Sequence, residues 1–192
     1  MKSHESRKPA VAFLLIFLAV PRIPLALGAP QAPPAKPDEG AFQEFTKRVE
    51  QYLTLHKSAP RLRTTKQRKE IVERRDALAK KIRQARSNAK QGDIFSPEIS
   101  KEFRRVIQST MKSAKGPSVR KTIKQGEPVP GWHLSVNGDY PEHLPRTTIP
   151  PTLLLQLPQL PPGLGYRIIG HDFVLQDADA RLVVDFIPGA IP

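Results

Sequence analysis

The side chains with chemistry to offer are few in kind. The chain of 192 residues has no cysteine, five histidines and 18 Asp or Glu residues. Disulfides, thiolate metal sites and thiol nucleophiles are therefore excluded, leaving carboxylate, imidazole and backbone chemistry. Asp177, Asp179 and Asp185 form the densest carboxylate group, and hard cations take clustered carboxylate oxygens. Their spacing does not fit a calcium loop, because Ala180 and Arg181 stand where a further ligand and a glycine are needed. A polar hairpin turn accounts for them. His171 beside Asp172 has the composition of an acid/base pair, yet neighbouring residues of a strand or turn point apart, and no serine occupies a nucleophile elbow. No catalytic residue and no cofactor is assigned.

His133, His143 and His171, with Asp139, are the set that would have to converge in space to bind Zn, Ni or Cu through neutral imidazoles. Nothing in their spacing brings them together, so no metal ligand is assigned, and metal handling through these C-terminal histidines stands as the alternative function. His56 lies on the apolar face of a helical pattern without a histidine or carboxylate four residues away. That placement predicts a packed or boundary residue.

Cations carry the stronger signal. Lys and Arg number 31, for a net charge of +13, and the excess is local: residues 41 to 125 hold 23 basic and 8 acidic groups, residues 126 to 192 hold 3 and 7. Arg68, Arg74, Arg75, Lys80, Lys81, Arg83 and Arg86 lie in one helical pattern and are the candidate contacts to an anionic partner, either an envelope component or another protein. The same face would also compensate the acidic C-terminal part. Nucleic acid is disfavoured as the partner, since no aromatic residue falls between Tyr52 and Phe95 to stack on bases.

The elements that must position these groups read as follows. Phe42, Phe45, Val49, Leu53 and His56 recur at steps of three and four and predict a helix ending near Ser58. A second helix is predicted from a cap at Thr64 or Thr65 to about Lys90, with Ile71, Leu78, Ile82, Ala85 and Ala89 as its buried stripe and Gly92 as its stop. Ser96, Pro97 and Glu98 open a third helix that buries Ile99, Phe103, Val106, Ile107 and Thr110. His133 to Val136 is a candidate strand before the Asn137-Gly138 turn. Pro150 and Pro151 start one or two helical turns, and Tyr166 to Ile187 predicts a three-stranded antiparallel meander. Both of its faces carry apolar residues, so one must pack on the helices or on the Leu153–Leu160 segment.

The leading residues have the pattern of an export signal. Lys2, Arg7 and Lys8 precede eleven apolar residues, Ala10 to Val20, too few to cross a hydrocarbon core that needs roughly 20, and small residues follow at Ala26, Gly28 and Ala29. The expected organisation is a signal peptide over 1–28, a Pro-rich linker over 29–40, a basic helical region over 41–115, an irregular connector over 116–148 and a small β module over 149–192. The fold class is α+β, two to three helices in an antiparallel arrangement followed by the meander.

The strings GDIFSPEISKEFRRVI and IPPTLLLQLPQLPPGLGYRIIGHDFVLQDADARLVVDFIP resemble a group of uncharacterised exported bacterial proteins. More loosely, LPPGLGYRIIGHDFVLQDADARLVVDFI is similar to the β module that ends periplasmic proteins of the nickel/cobalt-homeostasis family. The resemblance implies a periplasmic or secreted location and a β architecture, and names no activity. Together these readings predict an exported, non-enzymatic binding or structural protein of the bacterial envelope, without a membrane span once the signal is removed.

Overall fold

The computed structural model describes residues 37–57, 67–113, 115–123, 133–140 and 149–192. The signal peptide, residues 29–36 of the linker, Thr64, Thr65 and His143 lie outside them. Residues 34–192 form one compact unit of the α+β class, with helices α1 (Glu39–Lys57), α2 (Arg68–Ala85), α3 (Pro97–Lys112), α4 (Gly116–Ile123) and α5 (Pro151–Leu154) and strands β1 (Leu164–Ile169), β2 (Asp172–Asp177) and β3 (Leu182–Ile187).

Helix α3 forms where its local signals place it. Ser96 Oγ accepts the Ile99 N–H at 3.4 Å, Pro97 stands at the first helical position, and the predicted stripe from Ile99 to Thr110 is buried. Helix α1 starts at Glu39, two residues before the expected linker boundary, because Asp38 Oδ1 accepts the N–H groups of Gly40 and Ala41 and so caps it. Helix α2 is shorter than its periodicity predicted. Its last helical bond runs from the Arg86 N–H to the Ile82 carbonyl, and the Arg86 carbonyl then accepts both the Ala89 N–H at 2.9 Å and Asn137 Nδ2 at 2.8 Å. The helix ends at Ala85, and burial is confined to Leu78, Ala79 and Ile82. Ala85 is exposed and Ile71 is 50% exposed, so most of the predicted stripe does not face the core.

The connector expected to be irregular begins with a helix. Pro117 occupies the first turn of α4, where its missing N–H costs nothing, and Val119 and Ile123, four residues apart, are buried. Gly116 is required here: a Cβ would lie 1.9 Å from the Met111 carbonyl oxygen.

The sheet has the order β1-β2-β3, antiparallel throughout. One face, with Tyr166, Ile168, Phe173, Leu175 and Ile187, shares a single core with Phe45 of α1, Phe95, and Phe103 of α3. Rings meet there at 5.0 Å for Phe45–Phe103, 5.1 Å for Phe95–Phe103 and 5.2 Å for Tyr166–Phe173. The other face packs Ile169, Val174, Val183 and Phe186 against Leu134 and Tyr140. Thus the helices cover one apolar face and residues 133–140 the other.

His133 to Val136 forms no strand. The residues after it pair with β3 instead: Asn137 N–H donates to the Val183 carbonyl, Val183 N–H to Gly138 and Tyr140 N–H to Arg181, all at 2.8–2.9 Å. Asn137 sits at φ +60°, a left-handed conformation that Asn tolerates better than most residues. A register shift between Leu175 and Gln176 interrupts the β2–β3 ladder. Strict alternation would put Val183 and Asp185 on one face, whereas the extra residue of a bulge sends Val183 outward to Tyr140 and turns Asp185 toward the helices.

Candidate binding surface

Two buried carboxylates fix α1, α2 and α3 on the sheet, and with them the basic helix. Asp177, fully buried at the end of β2, accepts the Tyr52 hydroxyl at 2.6 Å, bonds His56 Nε2 at 2.6 Å and accepts the Ala180 N–H at 2.8 Å. Tyr52 and His56 are one turn apart on α1, so the helix grips the strand end with two side chains. The hydrogen bond from Asp177 holds the His56 imidazole above its ordinary pKa near 6.5, against the opposing effect of burial. Burial, reinforced by Asp177, pushes the Tyr52 phenol far upward and keeps it a donor.

Asp185 is also fully buried and receives backbone N–H groups from Gly92, Ile94 and Phe95 at 2.8–3.0 Å, together with that of Phe186. This nest locks the loop between α2 and α3. Gly92 is at φ +95°, a region glycine enters without strain. Asp177 and Asp185, considered with Asp179 as cation ligands, thus serve as structural acceptors, and among the described residues no three His, Asp or Glu side chains are grouped to hold a metal ion. His133 is exposed, His171 Nδ1 lies 2.9 Å from the Ile191 carbonyl, and Asp139 binds Arg83.

The seven candidate cations of α2 and its C-terminus divide into two groups. Arg86 and Arg83 are tied to the sheet side. The Arg86 guanidinium donates to Asn137 Oδ1 at 3.1 Å and to the Val184 carbonyl at 3.2 Å, and lies 5.1 Å from the centre of the Tyr52 ring; its burial lowers its pKa. Arg83 donates to the Asn137 carbonyl at 3.0 Å and to Asp139 Oδ1 at 2.6 Å. The other five, Arg68, Arg74, Arg75, Lys80 and Lys81, lie on the exposed or half-buried faces. Arg74 bonds Glu70 at 3.5 Å and Arg75 bonds Asp76 at 3.2 Å. Exposed pairs contribute about 0.2–1 kcal/mol. Ile71, half exposed, stands one turn from Arg68, Arg74 and Arg75.

Between α2 and the sheet corner lies a cleft of about 340 Å3 that brings together Arg75, Arg83 and Arg181 with Asp76 and Asp139. Arg181, at φ +54° in the β2–β3 turn, donates to the Tyr140 carbonyl at 3.3 Å. It was not among the sequence candidates. It is a lone cation in an acidic stretch, and only the sheet turn carries it to α2. Among the described residues no helix is long and apolar enough to cross a membrane. No family model matches the chain, and neither a curated protein nor a solved structure matches it.

Proposed function

We propose that the protein is an exported, non-enzymatic binding or structural protein of the bacterial envelope whose basic helix α2 contacts an anionic partner. One observation carries this reading: Arg75, Arg83 and Arg181, from α2 and the opposite sheet corner, line one small cleft. Arg68 and Ile71 extend the surface along the helix, the arginine exposed and the isoleucine half exposed. Guanidinium groups match carboxylates and phosphates in a planar, two-pronged geometry, and an exposed apolar side chain among them adds contact area without a desolvation cost. The carboxylates already there, Asp76 at 65% and Asp139 at 80% side-chain exposure, face water, where an ion pair contributes little.

The test is a pull-down from an envelope fraction in low and high salt, with the wild type, an Arg68→Glu/Arg75→Glu variant and a Lys101→Glu control on α3. The partner is retained by the wild type and the control in low salt, released in high salt, and not retained by the double variant. Retention by the double variant defeats the reading. Export is tested separately by the N-terminal residue of the protein recovered from cells; an intact Met1 in the ribosome fraction overturns it.

A further inference from the structure

A second surface, remote in chemistry from the α2 cleft, runs along the sheet edge. A groove of about 830 Å3 lies between β1, the edge strand, and the segment from α5 to Leu160, within the range of about 300–1,000 Å3 occupied by small-molecule sites. Its wall is largely leucine, and Leu155 stands 86% exposed at its rim, a large apolar surface left in water. Arg167 is the cation in that wall. Its Nη1 donates to the Tyr166 carbonyl at 2.9 Å, whereas its Nε is shut off from solvent without an acceptor among the described residues. With Nη1 engaged and Nε enclosed, Nη2 is the guanidinium nitrogen left to donate to an anion held in the groove.

We propose that this groove binds a long-chain fatty acid, with its carboxylate on Arg167 and its chain along Leu154, Leu155, Leu157 and Leu160. Leucines supply a favourable environment for each methylene removed from water, and the guanidinium of Arg167, the cation of the lining, supplies the partner for an anionic head. A neighbouring depression of about 700 Å3 shares Leu155, Leu157 and Pro158 with the groove and adds Phe42 beside the polar residues of α1. An extended peptide adding a strand to β1 fits less well. The Tyr166 carbonyl is already taken by Arg167, and the guanidinium lies across Gly165, where a Cβ would approach Nη1 to 3.2 Å.

Calorimetric titration of the purified protein with hexadecanoate, tetradecanoate, hexadecanol, hexadecylammonium and monohexadecyl phosphate, each below its aggregation concentration, separates head from chain. Hexadecanoate saturates a single class of site, tetradecanoate binds about tenfold more weakly, and hexadecylammonium does not bind. Arg167→Gln weakens hexadecanoate about tenfold while leaving hexadecanol unchanged. Leu155→Asp, at a solvent-exposed position outside the core, weakens both. The proposal is overturned by hexadecanoate giving no saturable heat, by equal affinity for the ammonium, or by Leu155→Asp binding as the wild type does. Tighter binding of the phosphate than of hexadecanoate overturns the carboxylate assignment, and displacement of hexadecanoate by an extended peptide that pairs with β1 assigns the edge to a strand partner instead.

Discussion

Asp185→Asn changes one atom of the side chain and leaves its volume nearly unaltered, so its effect isolates the hydrogen-bond demand of the loop between α2 and α3. Asp185 Oδ1 accepts from Gly92 and Phe186, and Oδ2 from Ile94 and Phe95. An asparagine amide has one oxygen. Whichever way it is turned, an NH2 group faces two N–H donors that have lost their acceptor, in a site with no solvent exposure. A buried donor left unmatched costs about 1–3 kcal/mol, so the loss is about 2–6 kcal/mol before any relief from no longer burying a charge. A net loss of about 2–4 kcal/mol takes a large share of the roughly 5–15 kcal/mol by which domains are stable, and lowers Tm by about 4–16 °C for a chain of this size. Urea unfolding followed by far-ultraviolet circular dichroism measures it: the midpoint falls and the slope is unchanged, since the surface exposed on unfolding is the same. Amide exchange at Ile94 and Phe95 quickens as well, because the loop opens first. A variant whose midpoint and exchange match the wild type refutes the assignment of Asp185 as the acceptor that seats this loop.

Two further changes test other parts of the frame. Phe103, with no solvent exposure and ring contacts to Phe42, Phe45, Phe95, Tyr166 and Phe173, joins helices to sheet; Phe103→Ala lowers stability by about 3–5 kcal/mol in the same urea assay, and a loss below about 1 kcal/mol contradicts the single shared core. His56 has its pKa raised by Asp177, so its contribution is complete below about pH 6.5 and is lost as pH rises through the higher folded-state value. The Tm difference between wild type and His56→Gln accordingly is full below about pH 6.5 and shrinks as the pH is raised above it; a difference constant with pH removes the ion pair from the account.

What could be read in advance, and what could not, follows from the range over which each signal acts. The cap, proline and apolar stripe of α3 all lie within a few residues of one another, and the meander's strands are marked by their own turns, so both were legible. Helix α2 was overextended because apolar residues recur past Ala85 at helical spacing, whereas the chain turns at Arg86, whose carbonyl meets Asn137, 51 residues away. Helix α4 was missed because Gly116 and Pro117 signal a break, and the same two residues open a helix when apolar residues four apart follow and find a core. The buried carboxylates show the same limit at the site. Asp185 in LVVDFI looks like a polar residue on an outward face, or a cation ligand, until a bulge turns it inward to a loop 90 residues distant. His56 was correctly placed at a boundary, and its partner Asp177, 121 residues on, had no local trace. The basic surface divides for this reason too. Charge and spacing mark all seven cations alike, but only tertiary contact separates Arg83 and Arg86, bonded to the segment at Asn137, from Arg68 and Lys80, which stand in water. Charge reversal at Arg86 therefore tests folding, whereas reversal at Arg68 tests binding, and a surface defined by sequence alone would have confounded the two.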